Sequence, residues 1–270
     1  MHTTMTWEYA LNEYTKFLKA KGLTSRTIET RLNYLKRIEH LGSPAEITGV
    51  QLLDWAATYD WQPETRHSCY STLRGFYKYL FMAGKIDDNP AGILPAIKRH
   101  PPAPRPIPEG LYAKALKDAP EKPRLALELA GYAGLRRSEI PQVNTKDLVE
   151  DLLGLSLVVH GKGNKERLVP LTNKLAVDIQ INAGRAGWAF TSQQTGSHIN
   201  SEWLAKLVKP YLPPGFTLHS LRHRFATVCY QRTGDIRAVQ MLLGHEDLAT
   251  TQRYIQVDAA TLRHVVESAT

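Results

Sequence analysis

The chain has 270 residues, 43% hydrophobic and 22% charged, which is enough apolar material for more than one packed core and too much for a disordered polymer. Two cysteines, Cys69 and Cys229, cannot build a disulfide framework, no charged-then-apolar leader precedes Trp7, and no apolar run reaches the ~20 residues of a membrane span. A cytoplasmic protein with no membrane role is expected. Lys and Arg outnumber Asp and Glu by 34 to 26, leaving +8 spread over both halves of the chain, which suits a polyanionic partner.

The first ninety or so residues read as successive amphipathic helices. Trp7, Leu11, Tyr14 and Leu18 share one stripe ended by Gly22, and Ile28, Leu32, Leu35 and Ile38 form a second whose outer face carries Arg26, Arg31, Lys36 and Arg37. Thr48 and Gln51 make a capping box for a short third helix, and Pro63 opens a fourth through Tyr70, Leu73, Tyr77 and Leu80 to Gly84. The prolines between Ile97 and Pro108 exclude a helix and favour an extended tether, whose Lys98, Arg99 and Arg105 would suit a strap along a phosphate backbone. Three segments are therefore expected: a helical domain over 1–96, a basic linker over 97–108, and a second domain over 109–270.

Beyond the linker, Leu111 to Leu116 and Leu125 to Tyr132 have helical spacing. The β-branched run Leu155 to His160 and the segment Arg167 to Leu171 read as two strands of a hairpin whose tip, Gly161 to Glu166, is basic. Helical patterns return at Leu175 to Ile181, Trp203 to Val208, Leu218 to Tyr230 and Ile236 to Leu243, giving a mainly helical second domain with the hairpin set against it.

Unusual polar chemistry is concentrated in four places: Gly134-Leu-Arg136 with Glu139, the lysine-tipped hairpin, His219-x-x-Arg222, and Leu243-Gly-His245 followed by Tyr254. His219 and Arg222, three apart, share a helical face and could clasp a phosphate; alone, the pair reads rather as a helix-capping imidazole and a surface ion pair. His219 and His223 have a spacing used by zinc sites, but a third ligand is missing and no paired cysteines occur, so no metal is expected. Gly161-Lys-Gly lacks the spacing of a nucleotide-phosphate loop.

Taken in order, Gly134-Leu-Arg136, Gly161-Lys162-Gly163, His219-x-x-Arg222, Leu243-Gly-His245 and Tyr254 resemble the motifs of the tyrosine recombinase family, also called the phage integrase family. The resemblance spans the chain from about Pro108 onward; the N-terminal helices fit the family's core-DNA-binding domain by architecture only. It implies a mainly α fold: an N-terminal four-helix, SAM-like bundle and a C-terminal catalytic domain of mixed α+β character with a small β-hairpin or sheet. By the same resemblance Tyr254 is the nucleophile that attacks a scissile DNA phosphate, leaving a 3′-phosphotyrosine and a free 5′-hydroxyl. His219 matches the base that a phenol of reference pKa near 10 needs. Arg136 and Arg222 match the two guanidinium forks that neutralise the phosphorane-like transition state without a metal. Lys162 matches the proton donor to the leaving 5′-oxygen, with Lys165 in reserve, and His245 a hydrogen-bond donor to the phosphate or the attacking oxygen. Glu139 looks like the acidic neighbour that orients Arg136, although a helix-surface carboxylate reads the same in sequence.

What the resemblance implies is a cofactor-free, site-specific recombinase that grips duplex DNA, works as a tetramer on two duplexes, and leaves room for an accessory DNA-bending protein. A tail helix with Ala260, Leu262, Val265 and Val266 would dock on a neighbouring protomer or on its own. The chain starts directly with the bundle, without the extra module larger phage integrases use on distant sites, which suggests a compact integrase or a Xer-type enzyme that resolves chromosome dimers. Arg136-Arg-Ser-Glu-Ile-Pro141 and the divergent middle region depart from Xer-like texture and favour the integrase. A non-enzymatic regulator that reads Leu218 to Leu243 as helix-turn-helix is the rival from another class, and a type IB topoisomerase the rival with the same chemistry.

Overall fold

The computed structural model describes residues 5–98, 104–152, 154–161 and 165–244. The chain divides into two compact units, Met1–Pro101 and Pro102–Thr270, with the division inside the proline-rich stretch. Among the described residues no helix is long and apolar enough to cross a membrane.

In the first unit α1 (Trp7–Ala20) starts where the Thr6 hydroxyl accepts from the Tyr9 N–H, and it buries Ala10, Tyr14 and Leu18 on one stripe. Thr24 caps α2 (Ser25–Lys36), which buries Ile28 and Leu35. A full capping box between Thr48 and Gln51 opens α3 (Gly49–Ala57), and Pro63 occupies the first position of α4 (Pro63–Met82), where its missing N–H costs nothing. The core is aromatic: Tyr14 meets Phe76 edge-on at 5.3 Å, and Trp7 stacks on Phe76 at 5.7 Å. These helices follow the apolar spacing of the sequence, except that α2 stops short of Ile38, which is fully buried just beyond it.

The second unit is organised on α6 (Glu121–Tyr132), buried at nearly every position from Pro123 to Gly131 and packed against α9 (Leu218–Thr233). Around this pair lie α5 (Glu109–Asp118), α7 (Asn173–Asn182), α8 (Ser201–Val208) and α10 (Ile236–Leu243). An antiparallel sheet of order β1-β2-β3 packs beside them: β1 (Leu148–Asp151), β2 (Gly154–His160) and β3 (Glu166–Pro170). The sequence had supplied only the β2–β3 hairpin. Leu-Val-Glu-Asp is too short and acidic to announce itself as a strand; pairing with β2, Leu148 opposite Leu157 and Glu150 opposite Leu155, makes it one. The mainly α architecture with a small antiparallel sheet stands. Leu157, Val159 and Val169 turn the sheet's inner face to the core.

Candidate active site

The site is assembled at the N-terminal end of α9 from groups far apart in sequence. Thr217, not His219, caps that helix: its hydroxyl accepts from the His219 N–H at 3.2 Å, and Ser220 bonds back to the Thr217 N–H. His219 thus lies in the first turn with Arg222 one turn on, both on the face toward Gly134 and Arg136.

Arg222 is no surface charge. It is 1% exposed and ranks first by volume among the fully buried side chains. Its Nη1 donates to the Gly134 carbonyl and its Nη2 to the Leu243 carbonyl at 2.6 Å. Gly134 permits that approach twice over. Its φ of +65° suits glycine, and a Cβ there would lie 2.5 Å from the Phe225 ring. Two residues on, Arg136 donates Nη1 to Glu139 Oε1 at 2.7 Å and Nη2 to the Gly244 carbonyl at 3.0 Å, while its backbone N–H bonds Glu139 Oε2 at 2.8 Å. The Arg136 side chain remains 36% exposed, so a guanidinium anchored at both terminal nitrogens is still reachable from outside.

Glu139, 3% exposed at its side chain, is the hub of the cluster. Besides Arg136 it receives the fork of Arg167, Nη1 to Oε1 at 2.9 Å and Nη2 to Oε2 at 2.7 Å, and Arg222 Nη1 stands 3.9 Å away. Burial alone would raise its pKa, but the hydrogen bonds and charge of Arg167 and Arg136 outweigh burial and hold it at about 2. The surface-carboxylate reading of Glu139 is therefore replaced by a buried, triply neighboured one. Because the folded pKa lies below the ordinary 4.5, the stabilisation is present above pH 4.5 and fades as pH falls toward 2. Chemical unfolding followed across that window should show wild type losing a few kcal/mol relative to Glu139→Gln, which has no such titration. Parallel curves would deny the hub its charge.

Sequence reasoning missed Arg167, though a signal existed. Arg167 pairs across the sheet with Val159 and shares the inward face with Val169, so a guanidinium occupies a core-facing strand position. Such a residue needs a buried partner, and Glu139 is it.

His219 stands exposed at the mouth, yet local desolvation, then the charges of Arg222 and Arg136, lower its pKa and favour the neutral imidazole. The His223 ring meets it edge-on at 4.5 Å, and burial, then His219 and Arg222, push His223 down to about 4. Among the described residues no group of three His, Cys, Asp or Glu could hold a metal ion.

Of the residues singled out in sequence, Arg136, Glu139, His219 and Arg222 come together here. Lys98 is exposed in the first unit and Arg105 in the second. Lys165 is exposed beside β3, its carbonyl accepting from the Gly161 N–H at 2.7 Å to close the base of the hairpin. Arg99, Lys162, His245 and Tyr254 lie outside the described residues.

The phage integrase family model matches residues 110–261. Tyrosine recombinase XerD of Rhizobium meliloti (strain 1021) is 28% identical, the match covering 99% of this chain and 88% of that protein. Tyrosine recombinase XerC of Xanthomonas campestris pv. campestris (strain B100) is 33% identical over 77% of this chain and 68% of that protein. Among solved structures, a lambda integrase dimer bound to a COC′ core site superposes with a TM-score of 0.77 at 19% identity, covering 94% of this chain and 78% of that one. XerH recombinase bound to difH substrate gives 0.71 at 22% identity, covering 95% and 83%, and these two likenesses speak for the fold. With a family model spanning more than half its length and relatives one-third identical, the chain belongs to the phage integrase family, the tyrosine-type site-specific DNA recombinases.

Proposed function

We propose that the protein cuts and rejoins duplex DNA at a specific site through a covalent 3′-phosphotyrosine at Tyr254, with integration and excision of a phage or mobile element as its role. The observation that carries this reading is the convergence of two guanidinium groups, Arg136 and Arg222, on one buried carboxylate, with the neutral imidazole of His219 close enough to feel both charges. Two forks facing a phosphodiester neutralise the charge that grows on its non-bridging oxygens as a fifth oxygen approaches phosphorus. An imidazole whose pKa is lowered stays unprotonated near neutrality and can accept the phenolic proton of Tyr254. Lys162, or Lys165 in its place, returns a proton to the departing 5′-oxygen, and His245 donates to the phosphate. Exchange of a phosphodiester for a phosphotyrosine ester keeps the bond's energy, so religation needs no nucleotide.

For DNA, the first unit offers a groove between α2 and α4 lined by Arg26, Thr30 and Arg31 on one side and His67, Ser68 and Ser71 on the other. Charge and hydroxyls in a groove match a phosphate backbone. Lys98, Arg99 and Arg105 are placed along the same polymer. Arg26→Ala should weaken binding to any duplex and reduce the slope of log affinity against log salt by about 1, measured by fluorescence anisotropy. An unchanged slope would remove Arg26 from the interface.

Recombination requires four protomers on two duplexes, and the tail after Tyr254 is assigned to docking on a neighbour. The second reading, resolution of chromosome dimers, is favoured by a relative named as a Xer recombinase whose match covers 99% of this chain. A helix-turn-helix regulator fits poorly, since it leaves Tyr254, nine residues past His245, and the lysine-tipped hairpin without a use. Incubation with a nicked duplex, its site selected by the protein from a random-sequence pool, tests the proposal. A recombinase leaves a denaturant-resistant, protease-sensitive adduct. Only salt-reversible binding would return the regulator, and relaxation of arbitrary supercoiled plasmid would favour the topoisomerase.

A further inference from the structure

The described end of α10 is held by three arginines in register. Arg167 Nε donates to the Leu242 carbonyl at 2.7 Å, Arg222 Nη2 to Leu243 at 2.6 Å, and Arg136 Nη2 to Gly244 at 3.0 Å. Helix C-termini leave carbonyls without intrahelical donors and carry partial negative charge, so cations there satisfy both demands. The three carbonyls immediately precede His245 in the chain. Gly244 fits this arrangement: its φ is +61°, and a Cβ would lie 2.9 Å from Arg167 Cδ.

Two of these arginines have proposed roles in the reaction; Arg167 has none, and its side chain is 9% exposed. All three of its guanidinium nitrogens are used inside the protein, two on Glu139 and one on Leu242. The Glu139 carboxylate has about four lone-pair directions, and it receives four N–H groups: two from Arg167, the Arg136 backbone N–H, and a single terminal nitrogen of the Arg136 side chain. Arg136 is therefore bonded to the carboxylate through one edge only.

We propose that Arg167 is a positioning residue for strand cleavage: by filling the inner edge of Glu139 it prevents that carboxylate from drawing in the whole Arg136 fork, leaving the outer edge of Arg136 for the scissile phosphate. With Arg167 gone, a buried carboxylate loses two charge-assisted bonds, and the cation able to replace them is Arg136, whose second nitrogen is held by one neutral carbonyl. Arg136 then closes on Glu139 as a bidentate pair and is lost to the reaction. In this way β3, which carries Arg167 next to the lysine hairpin, sets both the end of α10 and the aim of Arg136.

The inference rests on the recombinase reading, and its test separates the two. On the nicked, protein-selected duplex, wild type first has to form the covalent adduct; if it does not, the recombinase reading fails and this assignment falls with it. Given adduct, Arg167→Met should slow single-turnover formation by about a hundredfold while DNA affinity stays within about threefold. Glu139→Gln combined with Arg167→Met should recover at least about tenfold over Arg167→Met alone, because a neutral amide no longer draws in Arg136. Simple loss of packing would not be repaired by a second change at its partner. A cleavage rate for Arg167→Met within about threefold of wild type overturns the proposal. So does a double variant no faster than the single, or a rate loss matched by loss of DNA affinity.

Discussion

Replacing Tyr254 with phenylalanine is expected to remove covalent joining to DNA altogether while leaving affinity within about twofold. One oxygen is deleted. The ring, its apolar surface and every cation assigned to the phosphate remain, so binding persists and only the bond to phosphorus has no atom from which to form. Gel shift and denaturing electrophoresis on the same nicked duplex check the two halves of this statement. Residual adduct at wild-type rate would show that another nucleophile does the chemistry.

Arg222→Met carries the second large effect, and it acts on both stability and rate. In the folded chain this guanidinium supplies hydrogen bonds to Gly134 and Leu243, tying α9 to the turn before Arg136 and to the end of α10. Its loss strands two carbonyls in a place water does not reach, at a cost of about 3 kcal/mol in urea unfolding. Cleavage should fall by about a thousandfold or more, since one of two forks on the transition state is gone. Arg222→Lys should recover little of either. An ammonium on a flexible stem cannot span both carbonyls and a phosphate with fixed geometry. A lysine variant close to wild type in rate would mean that charge alone, without the fork, is what the site requires.

The parts of the fold written in local periodicity were legible before any coordinates. Tyr14, Leu18, Leu35, Leu73 and Leu80 announce their helices because apolar spacing and helix geometry share one period, and Thr48 with Gln51 announces a helix start because the capping box is a four-residue device. What escaped is nonlocal. β1 exists only through its register with β2, and the capping of α9 by Thr217 required knowing where the helix begins. The same division runs through the site. Arg136 and Glu139 are three residues apart and could be paired on paper. The bonds from Arg222 to Gly134 and from Arg167 to Leu242, spanning 88 and 75 residues, depend on packing that no window of sequence contains. Motif order supplied Arg136, His219 and Arg222 as a set with Glu139 beside Arg136; the folded chain made Glu139 a buried hub for both arginines and added a third guanidinium on it.

The covalent link between Tyr254 and DNA is the most direct observable of the proposed reaction. After reaction with the nicked duplex, nuclease digestion and proteolysis, mass spectrometry of the nucleotide-bearing peptide should place a 3′-linked phosphate on the phenolic oxygen of Tyr254. A nucleotide attached to any other side chain, or joined through its 5′-phosphate, would contradict it.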